Sequence, residues 1–154
     1  MSQPQDPRQQ RGDRFTDVVA LMDRLLADDG CPWDREQTLE TLRPFLIEEA
    51  YEVLDALERG DLGEHREELG DLLFQVVFQA ALRAREGAFG IDDICQALVA
   101  KMQSRHPHVF GELVLKDAEA VLANWGRLKD EEKRRAGKPR GALAGVPRSL
   151  PALA

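Results

Sequence analysis

Apolar residues recur every three or four positions along each long segment of this chain, which is the spacing of a helix with one buried face. Alternation of apolar and polar residues over a useful length is missing, so no strand is predicted. The pattern predicts an all-α protein, an antiparallel helical bundle of about five helices joined by short connections. The predicted long helices span residues 14–28, 44–59, 61–86, 92–106 and 117–135.

Small and polar residues mark the expected helix ends. Pro44 fits the first turn of its helix, where its missing N–H is not needed. Gly60 fits the position just past the end of the same helix. A short helix is expected between the first two long ones, with Gln37 three residues after its cap. Capping aspartates are expected at three helix starts: Asp34, Asp92 and Asp117.

The 154 residues suffice for one domain with a hydrophobic core. We expect a disordered lead over 1–13, a single helical domain over 14–136 and an irregular Pro/Gly/Ala-rich tail over 137–154. No run approaches the ~18 apolar residues that a membrane span needs. The two cysteines, Cys31 and Cys95, are far apart in the sequence, which favours free thiols in a reducing compartment. A soluble cytoplasmic protein is therefore expected.

The net charge of −7 makes a nucleic-acid polymer an unfavourable partner, because phosphate backbones bind basic surfaces. The charge is uneven: residues 36–71 hold twelve acids and three bases, and residues 127–140 hold seven bases and three acids. Two solvated faces explain this distribution most simply. One ligand that carries both metal and phosphate would also explain it.

Three glutamates crowd the predicted helix over 44–59, in the sequence EEAYE at 48–52. Like charges four residues apart on a helix repel by roughly 0.2–0.5 kcal/mol, and no Lys or Arg follows before Arg59. Glu49 and Glu52 project about 60° apart, since each residue turns the helix by about 100°. Their carboxylates can therefore point at one spot, with Glu48 beside them.

The predicted helix over 61–86 is apolar on most of its circumference, which indicates a buried helix. Glu68 and Asp71 repeat the i,i+3 spacing there, and no nearby base on this face can pair with them. A charge inside a bundle is costly unless it is paired or bound to a metal. The two acids belong to one polar line along the helix: Glu64, Glu68, Asp71, Gln75 and Gln79.

An antiparallel hairpin of these two helices would bring the two carboxylate pairs together, and converging carboxylates suit a hard divalent cation. None of the three histidines follows a Glu by three positions, the spacing that ferritin-like di-iron bundles use. Zinc and iron are therefore disfavoured, and Mg²⁺ is expected, with Mn²⁺ as a substitute. One acidic pair would more often be solvated surface, but two pairs on consecutive helices favour a metal site.

These residues resemble the MazG family of all-α nucleoside triphosphate pyrophosphohydrolases, whose pattern is Glu-Glu-x-x-Glu, a spacer, then Glu-x-x-Asp. Here it reads EEAYE at 48–52 and ELGD at 68–71. The upstream GCPWDREQTLETLRPFLIEEAYEVLDAL and the later RHPHVFG are also typical of the family. The resemblance covers about residues 14–135. It implies Mg²⁺-dependent hydrolysis of (deoxy)nucleoside triphosphates to monophosphate and pyrophosphate, with a house-cleaning role in the nucleotide pool.

The resemblance also implies roles for individual residues. Glu48 would orient or deprotonate the attacking water. The metal ligands would be Glu49, Glu52, Glu68 and Asp71. The nucleotide would be held by Lys101, Arg105, Trp125 and Lys129. Taken alone, each of the last four is better explained as a solvated cation or a core tryptophan.

Two other functions fit the same residues. One is a non-catalytic helical interaction module with a structural Mg²⁺, and the other is a related pyrophosphohydrolase specific for dUTP or for a phosphoribosyl substrate. The separate basic residues favour an enzyme, because a structural ion needs no phosphate clamp. Long MazG proteins carry two such domains in tandem, and GVPRSLPALA resembles the segment after the first. The chain is thus either a one-domain form or part of a longer protein.

The apolar circumference of the 61–86 helix also bears on assembly. One hairpin and one flanking helix would leave part of that surface uncovered, as a larger apolar patch than monomers usually expose. The same patch on a second chain would cover it through a two-fold contact. We therefore expect a homodimer that can pair again into a tetramer, and the resemblance to MazG domains points the same way. A triphosphate substrate is the other expected partner, with no membrane partner.

Overall fold

The computed structural model describes residues 12–137, and every regular element in that range is an α-helix, which confirms the all-α prediction. Five long helices are joined by two short ones, α2 and α6, of five and four residues. Most of the expected lead and tail, residues 1–11 and 138–154, lies outside the described residues. The bounds are α1 Phe15–Leu25, α2 Pro32–Glu36, α3 Arg43–Arg59, α4 Leu62–Arg85, α5 Ile91–Arg105, α6 Pro107–Phe110 and α7 Ala118–Arg135.

The chain divides into two compact units, Met1–Ala97 and Leu98–Ala154, and the division falls inside α5. The first unit contains α1 to α4, and the second contains α6 and α7. The single domain expected over 14–136 stays a prediction. None of the helices within residues 12–137 is both long and apolar enough to cross a lipid bilayer.

Helices α3 and α4 form a hairpin with a two-residue connection. Gly60 ends α3 with a φ of 69°, a left-handed conformation that costs glycine little. Asp61 then caps α4, because its side chain accepts hydrogen bonds from the backbone N–H groups of Gly63 and Glu64 at 2.9 and 3.0 Å. The short turn makes the two helices antiparallel, and they pack against each other along their length.

The hydrophobic core of the first unit lies where α1 packs against α4. The rings of Phe74 and Phe78 meet edge to face at 5.9 Å between centroids, a favourable arrangement for aromatic pairs. This packing fixes the face of α4 that is turned to the core. The buried residues that form this cluster are Met22, Leu26, Leu42, Val77 and Phe78.

Two of the capping predictions concern α7 and α2. The prediction for Asp117 is confirmed, because its carboxylate accepts a hydrogen bond from the N–H of Ala120 at 2.9 Å. The prediction for Asp34 is wrong. Helix α2 begins at Pro32, with Cys31 as its N-cap, so Asp34 lies inside the helix. The fixed φ of proline favours the first helical position and starts the helix earlier.

The cap predicted at Asp92 is also wrong. Helix α5 begins at Ile91, and the neighbouring Asp93 accepts a hydrogen bond from the N–H of Gly90 at 2.8 Å. Pro107 ends α5 as expected, but it also begins α6, a single turn that the apolar pattern does not predict. The prolines therefore both stop and start helices in this chain.

The α3–α4 hairpin keeps a broad apolar surface exposed. On α4 the expectation of a fully buried helix is met only in part, since Leu69 and Val76 are 46% and 39% exposed. An apolar stripe on α3 is similarly open. The exposed apolar side chains of the hairpin are Ile47, Tyr51, Leu54, Leu57, Leu62, Leu69, Leu73 and Val76.

Candidate metal and phosphate sites

Three carboxylates converge where α3 and α4 pack together, and we refer to Glu49, Glu68 and Asp71 as the acidic cluster. One oxygen from each lies within 4.8 Å of the other two. Glu49 and Glu68 are half-buried and Asp71 is exposed. The hairpin thus brings together three of the four metal ligands expected from the sequence.

Electrostatics in the acidic cluster are unfavourable for the bare chain. Partial burial raises the pKa of Glu49 from 4.5 to about 7, helped by the negative charges of Asp71, Glu52 and Glu68. Burial and the charges of Glu52 and Asp71 also raise the pKa of Glu68. Such mutual repulsion is relieved when a cation binds among the oxygens.

The remaining acids of the EEAYE segment lie beside the acidic cluster. Glu52 is exposed on α3, and its charge acts on both Glu49 and Glu68. A side-chain hydrogen bond with Glu52 also helps Glu49 to keep its proton. Glu48, the expected catalytic residue, is exposed on α3. Neither belongs to the set of three converging oxygens.

The polar line on α4 has three different environments. At its start, Glu64 is paired with Arg59 at 2.5 Å, which neutralises it. Glu68 and Asp71 have no such partner among residues 12–137. One turn beyond Asp71, Gln75 is only 7% exposed, and its Oε1 has no hydrogen-bond partner in the described part of the chain. Within residues 12–137, the first acid of the line is therefore neutralised by an arginine, whereas Glu68 and Asp71 are not.

The donor set fits a hard divalent cation. All the converging groups are carboxylate oxygens, the ligand type that Mg²⁺ prefers and that Mn²⁺ accepts. Imidazole and thiolate groups are absent from the clusters found within residues 12–137. The raised pKa of Glu49 gives a second reason, because an unneutralised group of this kind is destabilising without a counter-ion.

The second unit contains the expected phosphate-binding residues, and we refer to Lys101, Arg105 and Lys129 as the basic cluster. Lys101 and Arg105 lie one turn apart on α5, and Lys129 lies on α7. Glu132 of α7 accepts hydrogen bonds from Arg105 Nε at 3.2 Å and Nη2 at 2.5 Å. Arg105 chiefly, and then Lys101 and Lys129, hold the pKa of Glu132 below its usual range. Glu132 thus contacts Arg105 and also experiences the positive charges of Lys101 and Lys129.

Trp125, one of the expected nucleotide-binding residues, lies beside two histidine rings of the same unit. Its ring meets that of His106 edge to face, with centroids 4.9 Å apart, and His106 in turn lies 5.5 Å from His108. Met102 O and His106 Nδ1 are 2.6 Å apart, which orients the imidazole. The indole N–H of Trp125 is buried and has no partner within the described residues. A buried indole N–H of this kind would be stabilised by a hydrogen-bond acceptor.

Sequence reasoning did not find two residues that matter here. Glu132 lies in a run of charges that reads as a solvated helix face, and no local pattern shows its contact with an arginine 27 positions away. In the sequence, His106 stands out only as part of the segment RHPHVFG. Its place beside Trp125 depends on how α5 and α7 pack, which periodicity does not specify.

Comparison with known proteins supplies the remaining observation. The MazG nucleotide pyrophosphohydrolase domain matches residues 37–110. The nucleoside triphosphate pyrophosphohydrolase of Escherichia coli K12 is 48% identical over 137 residues, which cover 88% of this chain and 52% of that protein. The nucleoside triphosphate pyrophosphohydrolase/pyrophosphatase MazG of Thermotoga maritima is 40% identical over 131 residues, covering 85% of this chain and 49% of that protein.

A solved structure agrees with these sequence comparisons. The crystal structure of a MazG-related protein from Thermotoga maritima superposes with a TM-score of 0.63 at 29% identity, covering 73% of this chain and 96% of that one. The shared arrangement of helices is consistent with the all-α pyrophosphatase fold expected from the sequence. This chain spans about half the length of the two curated relatives.

Proposed function

Since this chain belongs to the MazG family of nucleotide pyrophosphohydrolase domains, we propose that it hydrolyses nucleoside triphosphates to monophosphate and pyrophosphate. The single observation that carries this proposal is the acidic cluster, three carboxylate oxygens within 4.8 Å of one another. None of the three forms a salt bridge with a basic side chain of residues 12–137. A group of acids that the protein does not itself neutralise is suited to a metal-bound triphosphate. The cellular role would be removal of unwanted nucleotides.

In the proposed site Glu49, Glu68 and Asp71 bind Mg²⁺, and Glu52 completes the set from the adjacent turn of α3. Mn²⁺, which accepts the same oxygen ligands, is the expected substitute. The bound metal would polarise phosphoryl oxygens and lower the pKa of a bound water. The half-buried Glu49 and Glu68 hold the ligand oxygens in place, while the exposed Asp71 leaves the site open to a substrate.

Glu48 is the proposed catalytic residue, and it orients or deprotonates the attacking water. It precedes the ligand Glu49 directly and is exposed on α3, so water can reach it. A general base must lie within hydrogen-bond reach of the proton that it takes. Glu48 is the acid of the EEAYE segment that remains once Glu49 and Glu52 are assigned to the metal.

The basic cluster and Trp125 are the proposed nucleotide-binding residues. Lys101 and Lys129 are exposed, and Arg105 has a 20% exposed side chain. Cations of this kind neutralise charge that develops on the leaving pyrophosphate. Trp125 has a buried N–H that lacks a partner within residues 12–137, and its aromatic ring is of a kind that can stack on a base.

A panel of ribo- and deoxynucleoside triphosphates, assayed for released pyrophosphate with and without Mg²⁺, tests the function. Chromatography should show monophosphate and pyrophosphate as the only products. Diphosphate and orthophosphate would contradict the proposed reaction. Turnover of dUTP alone, or of a phosphoribosyl substrate alone, would establish the narrower alternative. Mg²⁺ binding without turnover of any substrate would establish a non-catalytic module.

We also propose that the chain forms a homodimer through the α3–α4 hairpin, with further pairing into a tetramer. The support is the exposed apolar surface of the hairpin, which includes Leu54 at 52% and Leu57 at 53% exposed. Light scattering should give at least twice the chain mass of 17.3 kDa. Leu73→Asp on the hairpin should reduce that mass, and Leu122→Asp on α7 should not. A monomer that still hydrolyses triphosphates would refute the dimer.

A reducing, cytoplasmic location and a single domain over residues 14–136 complete the proposal. Cys31 and Cys95 are free thiols, which suits a reducing compartment. The matched family domain, residues 37–110, extends across the division between the two compact units. That continuity supports one functional domain.

A further inference from the structure

Among the ion pairs within residues 12–137, that of Arg105 with Glu132 joins the residues farthest apart in the sequence. Pairs such as Arg59 with Glu64 and Arg127 with Glu131 join residues four or five positions apart. Arg105 and Glu132 instead join α5 to α7 across 27 positions, and the arginine side chain is only 20% exposed. An exposed ion pair contributes little to stability, whereas desolvation of the arginine strengthens its interaction with any nearby anion.

The Glu132 carboxylate lies close to the side chains that are proposed to bind the substrate phosphates. Both of its oxygens contact Arg105, and the positive charges of Lys101 and Lys129 also act on it. Glu132 therefore contacts one of the three cations assigned to the substrate phosphates and lies in the electrostatic field of the other two. A phosphate that binds Arg105 would meet the same positive field.

The hydrogen-bond geometry adds a stereochemical reason. A guanidinium binds a carboxylate or a phosphate through two parallel N–H groups on one edge. In this structure the edge formed by Nε and Nη2 of Arg105 is taken by Glu132. A phosphate that uses that edge must displace the carboxylate, and one that uses the other edge must remain beside a negative charge.

We propose that Glu132 is an intramolecular competitor of the substrate phosphates, which occupies the basic cluster until a triphosphate displaces it and thereby sets the affinity for substrate. The proposal rests on the function proposed above, in which these cations bind the triphosphate. Without substrate, the carboxylate keeps the three cations from repelling one another. With substrate, it weakens binding, so product pyrophosphate also leaves more readily.

Binding of inorganic pyrophosphate to the full chain, measured by titration calorimetry in the presence of EDTA, tests the proposal without turnover. Glu132→Gln should bind pyrophosphate about fivefold or more tightly than the wild type, because one unit of repulsion is removed. The KM for the triphosphate should fall in parallel. The matched control is Glu131→Gln, which makes the same charge change one residue away and should alter both quantities less than about twofold.

Two further variants separate competition from positioning. Glu132→Asp keeps the charge and shortens the side chain, so it should bind pyrophosphate as the wild type does if charge is what matters. In an Arg105→Gln background the effect of Glu132→Gln should shrink, since the contact between the two is gone. Circular dichroism and thermal melting would confirm that each variant is folded.

Weaker pyrophosphate binding by Glu132→Gln would overturn the proposal and make Glu132 a positioning residue for Arg105. Equal binding by the two proteins, or no pyrophosphate binding by either, would also overturn it. Failure of the proposed function gives a different result, namely no hydrolysis by the wild type, while the calorimetric comparison still stands. Hydrolysis by the wild type with an unchanged affinity in Glu132→Gln would remove this inference alone.

Discussion

The acidic cluster on α3 and α4 and the basic cluster of the second unit treat their charges in opposite ways. In the acidic cluster, three carboxylates lie together without a salt bridge to any cation of residues 12–137, and the pKa of Glu49 rises to about 7. In the basic cluster, Arg105 contacts Glu132, and the charges of Arg105, Lys101 and Lys129 lower the pKa of that carboxyl. The difference shows that clustered charge alone does not define a site. What matters is whether the protein supplies the counter-charge, and within residues 12–137 it does so for Arg105 but not for the acidic cluster.

The largest effect on turnover is expected from replacing the proposed metal ligands on α3 and α4. Asp71→Asn or Glu52→Gln removes ligand charge at nearly constant size, so turnover should fall about a hundredfold or more, since several kcal/mol of charge stabilisation are lost. The helical circular dichroism spectrum should survive. Glu58→Gln, on an exposed part of α3, is the matched control. Near-normal turnover of either ligand variant at saturating Mg²⁺ would contradict the site assignment.

Changing the basic side should have a smaller effect and a different kinetic signature. Lys129→Gln should raise the KM for triphosphate roughly tenfold, the size of one lost charge-assisted hydrogen bond. Its effect on kcat should be weaker than that of the metal-ligand variants. Lys133→Gln, also exposed on α7, controls for general charge. An equal effect of both lysines would mean that α7 attracts the substrate only through its overall charge.

The stability of the folded chain should depend on pH because of Glu49 in the acidic cluster. The folded pKa of Glu49 is about 7, above its ordinary value of 4.5, so the folded chain holds this proton more tightly than the unfolded chain. That contribution is present below about pH 4.5 and is lost as the pH rises through about 7. Without metal, the melting temperature should therefore fall by about 3 °C between about pH 5 and about pH 8.

Two comparisons check the origin of that shift. Glu49→Gln should lose part of the pH dependence, because the variant cannot ionise at this position. Mg²⁺ should restore the stability of the wild type at the higher pH, since it binds the deprotonated carboxylates. A metal-free melting temperature that rises with pH equally in the wild type and the variant would argue against a strained Glu49.

The smallest effect is expected at the paired end of the α4 polar line. Glu64→Gln breaks an exposed ion pair with Arg59, which is worth about 1 kcal/mol at most. Turnover and Mg²⁺ dependence should remain those of the wild type. A large loss of activity would place Glu64 in the metal site and would remove the distinction between neutralised and unneutralised acids on which the comparison depends.

The sequence specified the hairpin well. The predicted spans 44–59 and 61–86 differ from α3 and α4 by a single residue at each altered end. Strong 3.6-residue periodicity and the turn residue Gly60 explain this accuracy, because both act locally. The helix start predicted at Asp34 failed, since a nearby proline sets the first turn more strongly than an aspartate does.

The candidate sites were less fully predictable. The i,i+3 spacings indicate which acids can converge, but they do not separate the paired Glu64 from the unpaired Glu68, since that depends on Arg59 of the preceding helix. The contact between Arg105 and Glu132 arises only when α5 and α7 pack. Contacts of this kind are decided by tertiary structure and have no signature in periodicity or local spacing.

The position of the turn at Gly60 also sets which acids of α3 and α4 face one another. Glu52 precedes Gly60 by eight residues and Glu68 follows it by eight, while Glu49 and Asp71 lie eleven residues away on either side. The acids are therefore arranged as a mirror image about the turn, so that each stands at the height of its counterpart on the opposite arm. One residue inserted beside Gly60 would advance one arm by about 1.5 Å and rotate it by about 100°. The acids of the two helices would no longer face one another, so the length of the turn decides whether the proposed metal ligands can converge.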